Sequence, residues 1–133
     1  MHRSAASQGR SLRLGVADGP RAPQRVRAWL GTATWVPEEL RRNLVLLTCE
    51  LVNNSVLHGG AGERDVIEVE VHVTAAGLRA QVSDPGPGFA PPVRDRPMDE
   101  PGGWGLVLLE RMAERWGVER HGRTCVWFEL VAP

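Results

Sequence analysis

Glu50, Asn54 and His58 recur at four-residue spacing inside Asn43–Gly59, a stretch otherwise filled by Leu44, Val45, Leu46, Leu47, Leu51, Val52, Val56 and Leu57. A helix turns about 100° per residue, so steps of four drift by only about 40°. The spacing therefore predicts one polar stripe along a mostly buried helix. Unpaired polar groups are expensive to bury. A carboxylate, an amide and an imidazole in line need partners, and a ligand or a metal ion would supply them. Asn53 is adjacent but lies off the stripe.

A second group of signals lies downstream. Asp84 ends an apolar run and is followed by Pro85-Gly86-Pro87-Gly88. Gly102-Gly103-Trp104-Gly105 precedes a helical pattern. Glycines at a helix start let backbone N–H groups approach an anion, which the helix dipole also favours. A surface loop with turn glycines reads the same residues differently, and Asp84 taken alone suits the start of a turn. There is no Gly-x-x-x-x-Gly-Lys, and the strand pattern is not that of a doubly wound parallel sheet, so neither a P-loop nor a dinucleotide fingerprint fits.

These residues need elements to position them. Leu12–Val16 reads as a short edge strand. A helix is expected over 22–34, with Val26, Trp29 and Leu30 as its apolar stripe. Pro37 opens a second helix at a favoured first-turn position, and Glu38 and Glu39 suit its positive end. That helix is expected to reach His58 and stop at Gly59-Gly60. Val66–Val73 alternates strictly and pairs with Leu78–Ser83 as a hairpin. Residues 84–103 are too rich in Pro and Gly for regular structure. A helix is expected over Trp104–Trp116, then strands over Val118–His121 and Thr124–Val131 around Gly122-Arg123. Helices on one face of a mostly antiparallel, mixed sheet give an α+β two-layer sandwich.

The chain has 133 residues and zero formal net charge, which fits one domain with no global field toward nucleic acid or membrane. Residues 1–11 read as a flexible tail and 12–133 as the domain. Lysine is absent, and Arg supplies every cation beside abundant Ala, Gly and Pro, a composition typical of a GC-rich genome. No apolar run is long enough for a membrane span, and the N-terminus lacks the apolar core of a signal peptide, so a cytoplasmic location is expected. Cys49 and Cys125 then read as reduced thiols buried in apolar surroundings.

One helix carries Glu-x-x-x-Asn-x-x-x-His. Asp-x-Gly-x-Gly follows a strand, Gly-x-Gly opens a helix, and Gly-x-Thr precedes the last strand. In that order they resemble the boxes of the GHKL ATPases, the group of gyrase B, MutL-type repair proteins, the heat-shock chaperones of this fold and sensor histidine kinases. Within the group the chain is most similar to the small bacterial anti-sigma-factor serine/threonine kinases. The Trp-Gly-Val of Trp116–Val118 and the Val-Trp-Phe-Glu-Leu of Val126–Leu130 add to that likeness. The resemblance spans about Leu12 to Leu130 and implies the Bergerat-type ATP-binding fold.

The resemblance also implies roles. Asn54 would be a ligand of Mg²⁺ and Glu50 the catalytic base. Asp84 would accept the adenine amino group, supported by Thr124. Gly86 and Gly88 would let the backbone pass close to the base. Gly103, Gly105 and Leu106 would form the phosphate loop, and residues 89–101 a short lid. Arg94 and Arg96 in that lid either meet phosphate or are solvated. His58 either orients the helix end or is structural. Trp104 either covers phosphates or packs on a partner, and Ser55 stands where many relatives have Ala, a small change.

The function implied is a Mg-ATP-dependent kinase. It would phosphorylate a serine or threonine of an anti-anti-sigma antagonist and sequester a sigma factor. It would act as a homodimer, with no direct nucleic-acid or membrane contact. Trp29, Trp35 and Trp127 are interface candidates if exposed, with core burial expected for at least two. The alternative is a non-catalytic, nucleotide-responsive binding module controlling a transcription partner. A general remodelling ATPase fits less well, because such relatives carry extra domains. A sensor histidine kinase would need a His-bearing dimerisation helix, which this chain lacks.

Overall fold

The computed structural model describes residues 10–57, 65–85, 104–120 and 122–132, with only the backbone described for 104–106. Strands β1 (Arg10–Val16), β2 (Ile67–Thr74), β3 (Gly77–Asp84), β4 (Arg115–Arg120) and β5 (Thr124–Val131) form one sheet in the order β1-β2-β3-β5-β4. Helices α1 (Ala22–Gly31), α2 (Glu38–Leu57) and α3 (Trp104–Met112) complete an α+β fold.

Every described neighbour pair in the sheet is antiparallel, so the sheet is not mixed as expected. The reason lies in the β4–β5 connection. The tight turn through Gly122 and Arg123 forces β5 to run back along β4, into the place beside β3. Strand β1 starts at Arg10, which pairs with Val73, so Arg10 and Ser11 belong to the sheet rather than to the tail.

Two helices end earlier than their apolar patterns suggest. Helix α1 stops at Gly31, because Thr32 turns both its amide (3.1 Å) and its hydroxyl (2.7 Å) back onto the Trp29 carbonyl. Helix α3 stops at Met112, and Trp116 belongs to β4, opposite Phe128. The Glu114 amide already donates to the Glu129 carbonyl at 2.8 Å. The open edge of β5 offers a row of unpaired backbone groups. Pairing that row wins over extending the helical period through Trp116.

Alternation decides what each strand buries. Ile67, Val69, Val71 and Val73 of β2 point to the helices, while Glu68, Glu70 and His72 point away. Leu78, Ala80 and Val82 of β3 and Val126, Phe128 and Leu130 of β5 lie in the same buried layer. Helix α2 packs against α1, α3, β2, β3 and β5, and so forms the centre of the helical layer.

Among the described residues no helix covers the other sheet face, which is held by polar pairs. Arg13 meets Glu70 at 2.5 Å, and Gln81 Nε2 donates to Glu70 at 3.1 Å. Arg79 and Arg115 converge on Glu129 at 3.3 and 2.9 Å. Ser11 and His72 are hydrogen-bonded beside them. The Arg79 guanidinium stands 4.2 Å from the ring centroid of Trp127, which lies half-buried on this face. Trp29 and Trp35 pack on the core while keeping exposed edges, so none of the three candidates is fully buried. Cys49 is buried as expected, but Cys125 is only half-buried, because the alternation of β5 turns it to the open face. Among the described residues no helix is long and apolar enough to cross a membrane.

Candidate functional site

The alternation that builds the core also delivers polar residues to one end of it. On β3 the inward series Leu78, Ala80, Val82 continues to Asp84. On β5 the inward series begins at Thr124 and continues to Val126 and Phe128. The register sets Asp84 directly opposite Thr124 as the last rung of that ladder. Both are 2% exposed. The final turns of α2 bring Asn54 and Ser55 to the same buried layer. Asp84, Thr124 and Ser55 thus lie where a continuing core would have placed hydrophobics, with Asn54 buried one residue before Ser55.

The Ser55 hydroxyl donates to Oδ2 of Asp84 at 2.7 Å. A buried carboxylate needs such a donor, since desolvation penalises its charged form. Nothing in the local sequence pointed to this contact. The available signal was a hydroxyl on the helix face shared with Leu44, Leu51 and Thr48.

Asn54 is 2% exposed, and its Nδ2 has no hydrogen-bond partner among the described residues. An amide buried with an unsatisfied donor fits a residue that a ligand completes. Its oxygen is the hard, neutral donor that Mg²⁺ accepts alongside phosphate and water. Glu50, one turn earlier on α2, is half-buried. The stripe is therefore graded: an amide in the protein interior, and a carboxylate with access to solvent.

Arg123 is a second residue that sequence reasoning missed. One of its guanidinium nitrogens, Nη2, donates to the Val66 carbonyl at 3.1 Å and to the Ser83 carbonyl at 3.3 Å. It thereby ties the start of β2 and the end of β3 to the β4–β5 turn, next to Asp84. Its acceptors are backbone atoms remote in sequence, so no motif marks it.

Several expected site residues lie outside the described residues: His58, Gly86, Gly88, Arg94, Arg96 and Gly103. Gly105 and Leu106 lie in the first turn of α3, where only the backbone is described. The structure thus brings together Asp84, Thr124 and Ser55, and places Asn54 and Glu50 on the helix that carries Ser55.

The family model for the histidine kinase-like ATPase domain matches residues 7–130. The chain belongs to that family. The match covers α2, the Asp84–Thr124 pair and the segment between them. Among solved structures, one with the same fold contains the RsbU and RsbW domains of Rv1364c from Mycobacterium tuberculosis. The two share 21% identity with a TM-score of 0.68, over 92% of this chain and 32% of that one. This chain therefore spans about a third of that structure. No curated protein matches the chain significantly.

For a histidine kinase-like ATPase domain, the four buried polar residues form a coherent set. Asp84 is an acceptor held in place, and Thr124 is its cross-strand neighbour. Asn54 is an amide with unused capacity.

Proposed function

We propose that this protein is an ATP-binding regulator of the anti-sigma-factor type, acting as a Mg-ATP-dependent serine/threonine kinase on an anti-anti-sigma antagonist. The observation that carries the reading is the junction of α2, β3 and β5. There a buried acceptor (Asp84) and a buried amide with an unpaired donor (Asn54) lie in a fold of the histidine kinase-like ATPase family. The likeness to a structure containing an RsbW domain agrees with it at the level of fold.

In this reading Asp84 accepts a hydrogen bond from the adenine amino group, and Thr124 supports the carboxylate from the facing strand. Gly86 and Gly88 give the base close backbone approach. Gly103, Gly105 and Leu106 present backbone N–H groups to the phosphates at the start of α3. Asn54 would hold Mg²⁺ through its amide oxygen. Bound there, Mg²⁺ supplies charge neutralisation on the phosphates, the main requirement of phosphoryl transfer. Glu50 accepts the proton of the attacking serine or threonine hydroxyl. The partners are a sigma factor and its antagonist, and the active form is a homodimer, which light scattering on the purified chain would check.

The test uses purified protein, labelled ATP, Mg²⁺ and candidate antagonist proteins encoded near its gene. The expected outcome is label on one antagonist, lost with Glu50→Ala while calorimetric ATP binding persists. No transfer to any candidate would remove the kinase claim. If ATP still shifted partner affinity in that case, the chain would be a nucleotide-responsive binding module. Failure of calorimetry to detect Mg-ATP or Mg-ADP binding would remove both readings.

A further inference from the structure

We infer that Ser55 is a positioning residue that fixes the orientation of the Asp84 carboxylate, and is thereby a determinant of nucleobase selectivity. The inference rests on the reading of Asp84 as the acceptor of the base.

Ser55 and Asp84 are 3% and 2% exposed, and their hydrogen bond is 2.7 Å. A serine inside a helix commonly returns its hydroxyl to the carbonyl one turn back. Here the hydroxyl is directed to another element, so its donor is committed to a strand end rather than to its own helix. The bond joins α2 to β3 at the residue immediately after Asn54. The side chain expected to meet phosphate-bound metal and the one that fixes the base acceptor are therefore consecutive. A hydroxyl has one proton to donate, and an ionised carboxylate has about four acceptor sites. The bond thus fixes the carboxylate while leaving capacity for a ligand.

The consequence concerns the base contact. An ionised carboxylate can only accept. It welcomes an amino group at position 6 of a purine and repels a carbonyl there. Removing the Ser55 hydroxyl takes one fixed donor from the carboxylate and loosens its aim at the base. The change therefore acts on the base contact and leaves the phosphate contacts alone.

The test compares three nucleotides by calorimetry on the full chain: ATP, purine riboside triphosphate (which lacks the 6-amino group) and inosine triphosphate. Wild type is expected to prefer ATP over both. Ser55→Ala should weaken ATP about tenfold, the scale of one hydrogen bond to a charged group. It should leave purine riboside triphosphate unchanged and reduce the ATP-to-inosine preference by a similar factor. Ser55→Cys, which keeps a weak donor, should fall between the two and serves as the measurement if the alanine variant does not fold. In an Asp84→Asn background, Ser55→Ala should no longer alter selectivity. Equal weakening of all three nucleotides, or unchanged selectivity, would show that Ser55 is only structural and overturn the inference. If wild type itself fails to distinguish ATP from the purine riboside nucleotide, or Asp84→Asn binds ATP normally, the base-acceptor reading falls first.

Discussion

Asp84 on β3 and Thr124 on β5 stand directly opposite each other at the end of their ladder, both 2% exposed and both on the helix-covered face. This pairing makes Thr124 part of the surroundings of the carboxylate rather than a neighbour by sequence. Thr124→Val keeps the shape and removes the hydroxyl. A neutral hydrogen bond contributes about 0.5–1.5 kcal/mol, so ATP affinity should fall about two- to tenfold. Calorimetric titration checks this, with a thermal melt to show that the fold persists.

On the open face, Gly117 lies under the Trp127 indole. A Cβ built on Gly117 would sit 2.9 Å from the indole Nε1 and Cζ2. Arg79 engages the same ring, so the indole is not free to move without loss. Gly117→Ala should therefore destabilise the protein by about 1–3 kcal/mol, the usual range for overpacking. Urea unfolding followed by far-UV circular dichroism measures the loss. An unchanged midpoint would mean that the ring shifts at no cost.

The two thiols should react differently. Burial pushes both Cys49 and Cys125 above the ordinary thiol range, and for Cys125 a hydrogen bond with Ser83 opposes that rise. Only the thiolate reacts, so labelling by a disulfide reagent should be slow near neutral pH and accelerate as pH rises. Cys125, half-buried on the open face, should react first, and Cys49 only on unfolding. Mass spectrometry of the labelled peptides separates them.

Arg115, and behind it Arg79, hold the Glu129 carboxyl below its usual range. The folded pKa lies below the unfolded one, so this group stabilises the fold above the ordinary carboxylate range. That contribution is lost as pH falls through the lowered folded value. Partly exposed ion pairs contribute at most about 1 kcal/mol. Glu129→Gln should lower the melting temperature slightly at neutral pH, and the difference from wild type should vanish in acid. Melting curves across that range check the direction.

Much of the fold was legible because it is periodic. The strict alternation of Val66–Val73 named the buried face of β2, and Pro37 with Glu38 and Glu39 named the start of α2. Legibility failed where two elements compete for one apolar segment. Trp116 fits the helical period of Leu108 and Met112, yet it pairs with Phe128, because the open edge of β5 offers backbone hydrogen bonds that the helix pattern does not reveal.

The candidate site divides in the same way. Residue type and spacing marked Glu50 and Asn54 on one helix and Asp84 at a strand end, and the family resemblance added Thr124 at a strand start. Those are local properties: the helical period sets which face a residue occupies, and the strand period sets which side of the sheet. Only the tertiary structure decided that Asp84 faces Thr124, that Ser55 is bonded to Asp84, and that Arg123 joins the ends of β2 and β3. Periodicity assigns a residue to a face but not to a rung or a partner. Register and helix placement follow from packing the whole core at once. The contacts that would set the chemistry of Asp84 therefore come from segments that meet only when the chain is folded.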